Sequence, residues 1–331
     1  MMDLLFSGVK PTSIPHLGNY IGALKQWTVY QHEYKSLFCV VDLHAITVPQ
    51  EPAELKRNIL DIAATYLAIG LLPERCTFFV QSEVSEHAEL GWILGTIAKL
   101  GEMERMTQFK DKSAKGGRER AGLGLFSYPA LMAADILLYD TTVVPVGEDQ
   151  IQHIELTRLL ARRFNERFGE TFVLPQPLIQ KVGARIMSLS HPEKKMSKSD
   201  ADTNGTISLL DDADTIQKKI MRAVTDSGSE ISYNEEARPA ISNLLAIYHH
   251  LSGKSIRDIE SKYRGKGYGD FKKDLAEVVI EHLSPISARI HEYREHPEEL
   301  QEILDRGREA AHKMAQEKMK VVKEKMGLGR E

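Results

Sequence analysis

Along the first 150 residues, short apolar runs alternate with stretches of helical spacing. "DLLFSG" (3–8), "SLFCVVD" (36–42), "CTFFVQS" (76–82) and "TVVPVG" (142–147) read as strands, the middle two almost wholly apolar. Runs of this kind suit strands covered on both faces of a parallel sheet. Between them, residues 19–31, 52–70, 86–101 and 127–139 carry helical periodicity. After the fourth strand, Ile151, Ile154, Leu159, Leu160 and Phe164 line one face of another helix. Strand alternating with helix predicts an α/β fold with a doubly wound, parallel, Rossmann-type sheet. A further apolar run, "ARIMSL" (184–189), is expected to end that sheet.

The interval between the third and fourth strands is too long for one crossover helix. It predicts an insertion around 101–140, whose basic, Gly-containing stretch "ERMTQFKDKSAKGGRER" is expected to be mobile. "SKSDADTNGT" is rich in turn residues and marks a boundary. Beyond about residue 210 strand signals vanish, and the remaining segments read as helices punctuated by Gly and Pro. The chain therefore divides into a catalytic-type α/β domain, 1–200, and an all-α C-terminal domain, 201–331.

Composition narrows the class. With 331 residues, 42% of them hydrophobic, the chain can bury a sizeable core. No apolar run approaches the roughly 20 residues needed to cross a bilayer. The N-terminal "MMDLLFSGVKP" lacks the basic flank of a signal peptide, and the two cysteines, Cys39 and Cys76, form no CxxC pattern. These features predict a cytoplasmic protein that engages no membrane. Lys and Arg number 43 against 47 Asp and Glu, a net charge of −4, so any contact with nucleic acid must rest on local basic surface.

Four segments are candidates for chemistry. The first strand runs into "GVKPTSIPHLGNY", a turn that opens a helix at Gly18–Asn19. Free amides there suit phosphates, Gly18 permits close approach, and His16 and Asn19 could donate hydrogen bonds. A plain tight turn with a surface histidine would read the same way. "VPVGEDQ" (144–150) ends the fourth strand, where Gly147, Glu148 and Asp149 suit a ribose or cap the next helix. "YPALMAADILLYD" places Asp135 within an apolar helix, so the carboxylate needs an internal partner, such as an arginine, or a ligand donor. "KKMSKSD" (194–200) is either solvated charge or a clamp for a triphosphate.

Taken together, these segments resemble a known family. "PHLGN" resembles the HIGH signature of class I aminoacyl-tRNA synthetases, and "KMSKS" at 195–199 is their second signature. "VDLHAITV", "GEMERMTQFKDKSA", "YPALMAADILLY" and "VPVGEDQIQHIELTR" resemble the bacterial tryptophanyl members, and the likeness runs from about residue 4 to the C-terminus.

The resemblance implies a site. ATP would be held by Lys10, Pro11, Thr12, Gly18, Asn19, Gly147, Glu148, Asp149 and Ile186, and by the loop Lys195, Met196, Ser197, Lys198 and Ser199. Lys195, Lys198, Lys112, His16 and Asn19 would be the catalytic groups, with Lys112 on the phosphate side. Asp135 would accept the indole N–H, surrounded by Phe6, His44, Gln108, Met132 and Val146. The implied substrates are ATP with Mg2+, L-tryptophan and tRNA(Trp), with no metal cage of the protein's own and no role for DNA. A homodimer is implied, with apolar helices around 86–101 and 127–139 able to supply the interface. The C-terminal domain would bind the anticodon, with Lys313, Lys318, Lys320, Lys323 and Lys325 as a basic ridge. Lys10-Pro11-Thr12-Ser13 departs from the family's usual loop, Ser13 replacing a glycine. The alternatives are a tyrosyl synthetase, which shares both signatures, and a non-catalytic RNA-binding paralogue, which should have lost the signature lysines or the HIGH-like glycine.

Overall fold

A computed structural model describes residues 2–110, 122–179, 185–197, 202–228 and 230–330, and the backbone but not the side chain of Glu148. Its sheet has five parallel strands in the order β3-β2-β1-β4-β5: β1 (Leu4–Val9), β2 (Lys35–Val40), β3 (Cys76–Val80), β4 (Val143–Val146) and β5 (Gln176–Ile179). Phe6 lies opposite Leu37, Phe38 opposite Phe78, and Val144 opposite Pro177. The strand order reverses at β1, which has β2 on one side and β4 on the other. Loops leaving the carboxyl ends of β1 and β4 therefore diverge and open a crevice, the usual ligand position in such sheets.

Side chains alternate across the sheet. Leu5, Phe38, Val40 and Phe78 join one buried cluster, while Phe6, Leu37, Cys39 and Phe79 join the other. That two-sided burial is why β2 and β3 are legible as continuous apolar runs.

The fifth strand corrects an expectation. It is Gln176–Ile179, whereas within 185–189 there is only an isolated bridge from Met187 to Lys195. Ile186 and Leu189 are buried in the core without joining the sheet. Apolar character there reports burial rather than pairing. β5 is a half-exposed edge strand, and Pro177 is tolerated at an edge.

The helices before the sheet ends are α1 (Leu17–Asn19), α2 (Lys25–Glu33), α3 (Asp42–Ala45), α4 (Pro52–Ala68), α5 (Glu86–Ile97), α6 (Leu100–Glu104), α7 (Leu123–Leu137) and α8 (Ile151–Phe168). α1 continues into α2 through a π turn, Tyr20–Leu24. The C-terminal helices are α9 (Ala213–Arg222), α10 (Pro239–Ser252), α11 (Ile256–Lys262), α12 (Tyr268–Glu295) and α13 (Glu298–Met326).

α12 runs unbroken through Pro285. Pro285 is exposed, as is Glu281 one turn earlier, so water can satisfy the carbonyl that loses its helical partner. The helical region also returns to the sheet. Arg294 on α12 pairs bidentately with buried Asp61 on α4, at 2.7 and 2.8 Å. Ala311, Ala315, Met319 and Val322 of α13 share a core with α5 and α7. Among the described residues, no helix is long and apolar enough to cross a membrane.

Candidate active site

The two signatures meet at the mouth of the crevice. His16 is 6% exposed and caps α1 reciprocally with Asn19. Its Nδ1 accepts the Asn19 amide at 3.2 Å, and the Asn19 Oδ1 accepts the His16 amide at 3.1 Å. The alternative reading of His16 as a surface residue therefore does not hold. A Cβ on Gly18 would lie 3.0 Å from the His16 ring and 3.4 Å from the Cβ of Met196. Glycine at position 18 thus leaves room for the capping His16 ring, and the second signature packs alongside at contact distance.

That second signature rests on a small antiparallel turn. The Met196 amide donates to the Ile186 carbonyl at 3.0 Å, and the Ser188 amide donates to the Lys194 carbonyl at 2.8 Å. Thr206 Oγ1 donates to the Ser197 carbonyl at 2.9 Å. The chain beyond then pairs with the first loop: the Leu17 amide donates to Ile207 at 2.8 Å and the Leu209 amide to Pro15 at 3.1 Å. Asn243 on α10 holds Met187 through both backbone groups, at 2.9 Å each. Met196 is buried, while Lys194 and Lys195 project to solvent. The stretch is thus an anchored turn with exposed ammonium groups.

On the other wall, β4 ends in Gly147 and a 3-10 turn over Glu148–Gln150. Asp149 is exposed and folds toward Gly147, where a Cβ would lie 2.8 Å from Asp149 Oδ1. α8 has Gln150 at its N-cap without a side-chain cap, so Asp149 does not serve as the capping residue. On the first wall, Pro11 is buried and Thr12 exposed, and Lys10 Nζ lies 5.4 Å from the centre of the Tyr128 ring. Lys112, Lys198 and Ser199 lie outside the described residues, as does the side chain of Glu148.

Deeper, Phe6 and Val146 share one apolar cluster, with Met132 packed against it. Asp135 is 2% exposed and pairs with no arginine among the described residues. Its Oδ2 accepts His44 Nε2–H at 2.7 Å; its Oδ1 accepts Gln81 Nε2–H at 2.6 Å and His87 Nδ1–H at 2.7 Å. Burial alone would raise this carboxyl, but His44 and His87 outweigh it and hold Asp135 well below the usual carboxylate range. The group is an anion at neutral pH, with acceptors only.

Tyr128 links the remaining members. Its hydroxyl is 2.6 Å from His153 Nε2 and 3.3 Å from Gln108 Oε1, and its ring meets His44 edge-on at 6.2 Å. Burial pushes Tyr128 up to about 12 and His153 down to about 4, so both are neutral at physiological pH. Among the described residues, no group of three or more His, Cys, Asp or Glu is arranged to hold a metal ion.

Sequence reasoning missed Tyr128, His153, Gln81, His87 and Tyr139. A signal for two of them was present: Tyr128, Met132, Asp135 and Tyr139 recur at steps of four, three and four residues, one face of a helix. Gln81, His87 and His153 offered no such pattern.

The lysines of the C-terminal ridge differ in their contacts. Lys318 pairs with Asp140 at 2.6 Å, Lys323 pairs with Glu89 at 2.7 Å, and Lys325 donates to the Glu170 carbonyl. These three lysines fasten α13 to the sheet domain, Lys325 from an exposed position, while Lys313 and Lys320 are exposed as well.

The family model for class I tRNA synthetases (W and Y) matches residues 4–284. A tryptophan–tRNA ligase of Caldanaerobacter subterraneus subsp. tengcongensis is 58% identical over 327 residues, covering 99% of each chain. Among solved structures, tryptophanyl-tRNA synthetase from Mycoplasma pneumoniae superposes with a TM-score of 0.89 at 36% identity, covering 99% of both chains. The Campylobacter jejuni tryptophanyl-tRNA synthetase complexed with ADP and tryptophan gives 0.85 at 39% identity, covering 99% of this chain and 100% of that one. With both signatures in contact at the sheet's switch point and this match along its length, the chain belongs to the class I tRNA synthetases of the tryptophan and tyrosine group.

Proposed function

We infer that the chain is a ligase that activates L-tryptophan with ATP and then loads it onto tRNA(Trp). Two observations support the reading: the Gly18 helix start packs against the Met196 turn, and a buried Asp135 is held ionised by His44, Gln81 and His87. The tryptophan carboxylate oxygen attacks the α-phosphorus of ATP. The bond to the β-phosphate oxygen breaks, and pyrophosphate leaves. A ribose hydroxyl of the terminal adenosine then attacks the acyl carbon, AMP leaves, and the hydroxyl proton is released.

The chain's own residues position the reactants and stabilise charge. The start of α1, with Gly18 and Asn19 beside His16, faces the phosphates, and Gly147 with Glu148 and Asp149 takes the ribose. Lys10 with Pro11 and Thr12, and Ile186 with Met196 and Ser197, close the nucleotide site. Lys195, Lys198 and Lys112, with Ser199, neutralise the charge that builds as pyrophosphate departs. Mg2+ arrives with ATP as its counter-ion. Asp135 accepts the indole N–H, with Phe6, His44, Met132, Val146 and Gln108 around the amino acid.

The segment 201–331 binds the anticodon. A cavity of about 550 Å3 lined by Tyr263, Arg264 and Lys266 among others supports that role, as do the exposed Lys313 and Lys320. Trp92 is 76% exposed on α5, with Leu100 at 72% and Leu123 at 78% nearby in the chain on α6 and α7. Large apolar side chains so presented support a homodimer. The protein works in the cytoplasm, where its tRNA is.

The test is ATP–pyrophosphate exchange with each of the twenty amino acids. Exchange with tryptophan is expected. Strong exchange with tyrosine and none with tryptophan would overturn the substrate, and none with any amino acid would leave a non-catalytic RNA-binding protein.

A further inference from the structure

An ionised carboxylate has four acceptor directions, two on each oxygen. On Asp135, among the described residues, Oδ1 accepts from both Gln81, at 2.6 Å, and His87, at 2.7 Å, while Oδ2 accepts from His44 alone, at 2.7 Å. Protein donors thus take both directions of Oδ1 and one of Oδ2. A substrate can bring one further donor, and it must meet Oδ2.

The two histidines are held differently. His44 Nδ1 has no hydrogen-bond partner among the described residues, so His44 is tethered through Nε2 and an edge contact with Tyr128. His87 is fully buried and held at both ring nitrogens. Its Nε2 lies 2.7 Å from the Tyr139 hydroxyl. The Asp135 carboxylate offers only acceptors, so the His87 nitrogen facing it carries a hydrogen, and the Tyr139 hydroxyl, whose proton burial holds well above the ordinary phenol range, can donate to Nε2. A neutral imidazole that accepts on Nε2 carries its hydrogen on Nδ1, the nitrogen facing Asp135. Phe79 packs against both rings, at 5.8 Å from His87 and 5.7 Å from Tyr139. Tyr139 stands four residues beyond Asp135, so the loop of contacts closes on the same helix end.

We propose, resting on the reading that Asp135 accepts the indole N–H, that His87 is a positioning residue for substrate choice, its tautomer set by Tyr139. It occupies Oδ1 and fixes the plane of the Asp135 carboxylate, so that one acceptor direction on Oδ2 is aimed at the ring N–H of the amino acid. The pair therefore sets discrimination between an indole and a ring of the same shape that lacks the N–H.

The test compares kcat/KM for ATP–pyrophosphate exchange with tryptophan and with 3-(benzothiophen-3-yl)alanine, in which sulfur replaces N–H. In His87→Leu the preference for tryptophan should fall about tenfold or more, with turnover of the sulfur analogue changed by no more than about threefold. His87→Asn, whose amide can place a donor near the Nδ1 position, should keep the preference within about threefold of the parent protein. Tyr139→Phe should lower it roughly two- to tenfold, and its loss of a single oxygen keeps the test open if His87→Leu fails to fold. Equal losses on both amino acids in His87→Leu and Tyr139→Phe would overturn the proposal, because a general packing defect does not distinguish the analogues. Asp135→Asn separates the two levels. If it leaves the preference unchanged, Asp135 does not read the indole and the underlying assignment falls. If it abolishes the preference while His87→Leu and Tyr139→Phe do not lower it, the positioning role alone falls.

Discussion

Gly307 lies directly against the backbone of Phe78, where α13 crosses β3. A Cβ at position 307 would fall 2.7 Å from the Phe78 carbonyl carbon and closer still to its oxygen. Backbone cannot yield as a flexible side chain can, so Gly307→Ala must push the helix off the sheet. The expected cost is about 3 kcal/mol, seen as a Tm lowered by roughly 5–10 °C. Calorimetry of the variant checks it, and an unchanged Tm would mean that α13 does not dock at this spot.

Asp135 gives the second expectation. In Asp135→Ala, His44, Gln81 and His87 lose a shared buried acceptor, and the substrate loses its own. A site built around such an acceptor rejects phenylalanine by about 10⁴ or more, because binding it leaves the acceptor unpaired. Selection against phenylalanine should weaken markedly in the variant, alongside a fall of roughly 10² in kcat/KM for tryptophan. Competitive adenylation assays read both values; unaltered selectivity would count against the indole contact.

The signature lysines should act on the reaction rather than on the fold. Lys195 is exposed next to buried Met196, so Lys195→Ala leaves the anchored turn in place. Activation is expected to fall by about 10², with tryptophan affinity and Tm nearly unchanged. Single-turnover adenylate formation, set beside equilibrium tryptophan binding, separates the two effects. An undiminished activation rate would remove Lys195 from the phosphate site.

His153 predicts a pH dependence of stability. Burial lowers it from 6.5 to about 4 in the folded chain, so between those values the unfolded state binds a proton that the folded state does not. Stability from this group is therefore complete above pH 6.5 and is lost as pH falls toward 4, amounting to about 2.5 kcal/mol by pH 4.5. Asp135 has the opposite kind of shift for its type: depressed in the fold, it adds stability above the ordinary carboxylate range and loses it only in stronger acid. Denaturant melts at pH 7 and 4.5 should show a smaller difference for His153→Gln than for the parent protein. Equal differences would mean that His153 does not titrate differently on folding.

How far the sequence could be read depended on whether the cause of each feature was local. β2 and β3 announce themselves because both faces of each strand are covered, and α4 carries its own periodicity. β5 does not, since an edge strand of "QPLI" lacks a fully buried face, while the core-packed Ile186 and Leu189 imitate a strand without forming one. The signatures were legible as motifs, and Asp135 as an anomaly demanding a partner. The partners were not legible. Gln81 and His87 come from segments 54 and 48 residues away and are ordinary in their own surroundings. The ion pairs of α13 were hidden for the same reason, because Lys318 and Lys323 answer to Asp140 and Glu89 on distant elements.

The central claim is that the Gly18–Met196 contact and Asp135 serve one site, which holds tryptophan and ATP as one reacting pair. A crystal structure with tryptophanamide and ATP, which cannot react, tests it most directly. The expected result is an indole nitrogen within about 3.2 Å of Asp135 Oδ2, with the phosphates between the Gly18–Asn19 helix start and Lys195. An indole nitrogen turned away from Asp135, or a nucleotide bound elsewhere, would contradict it.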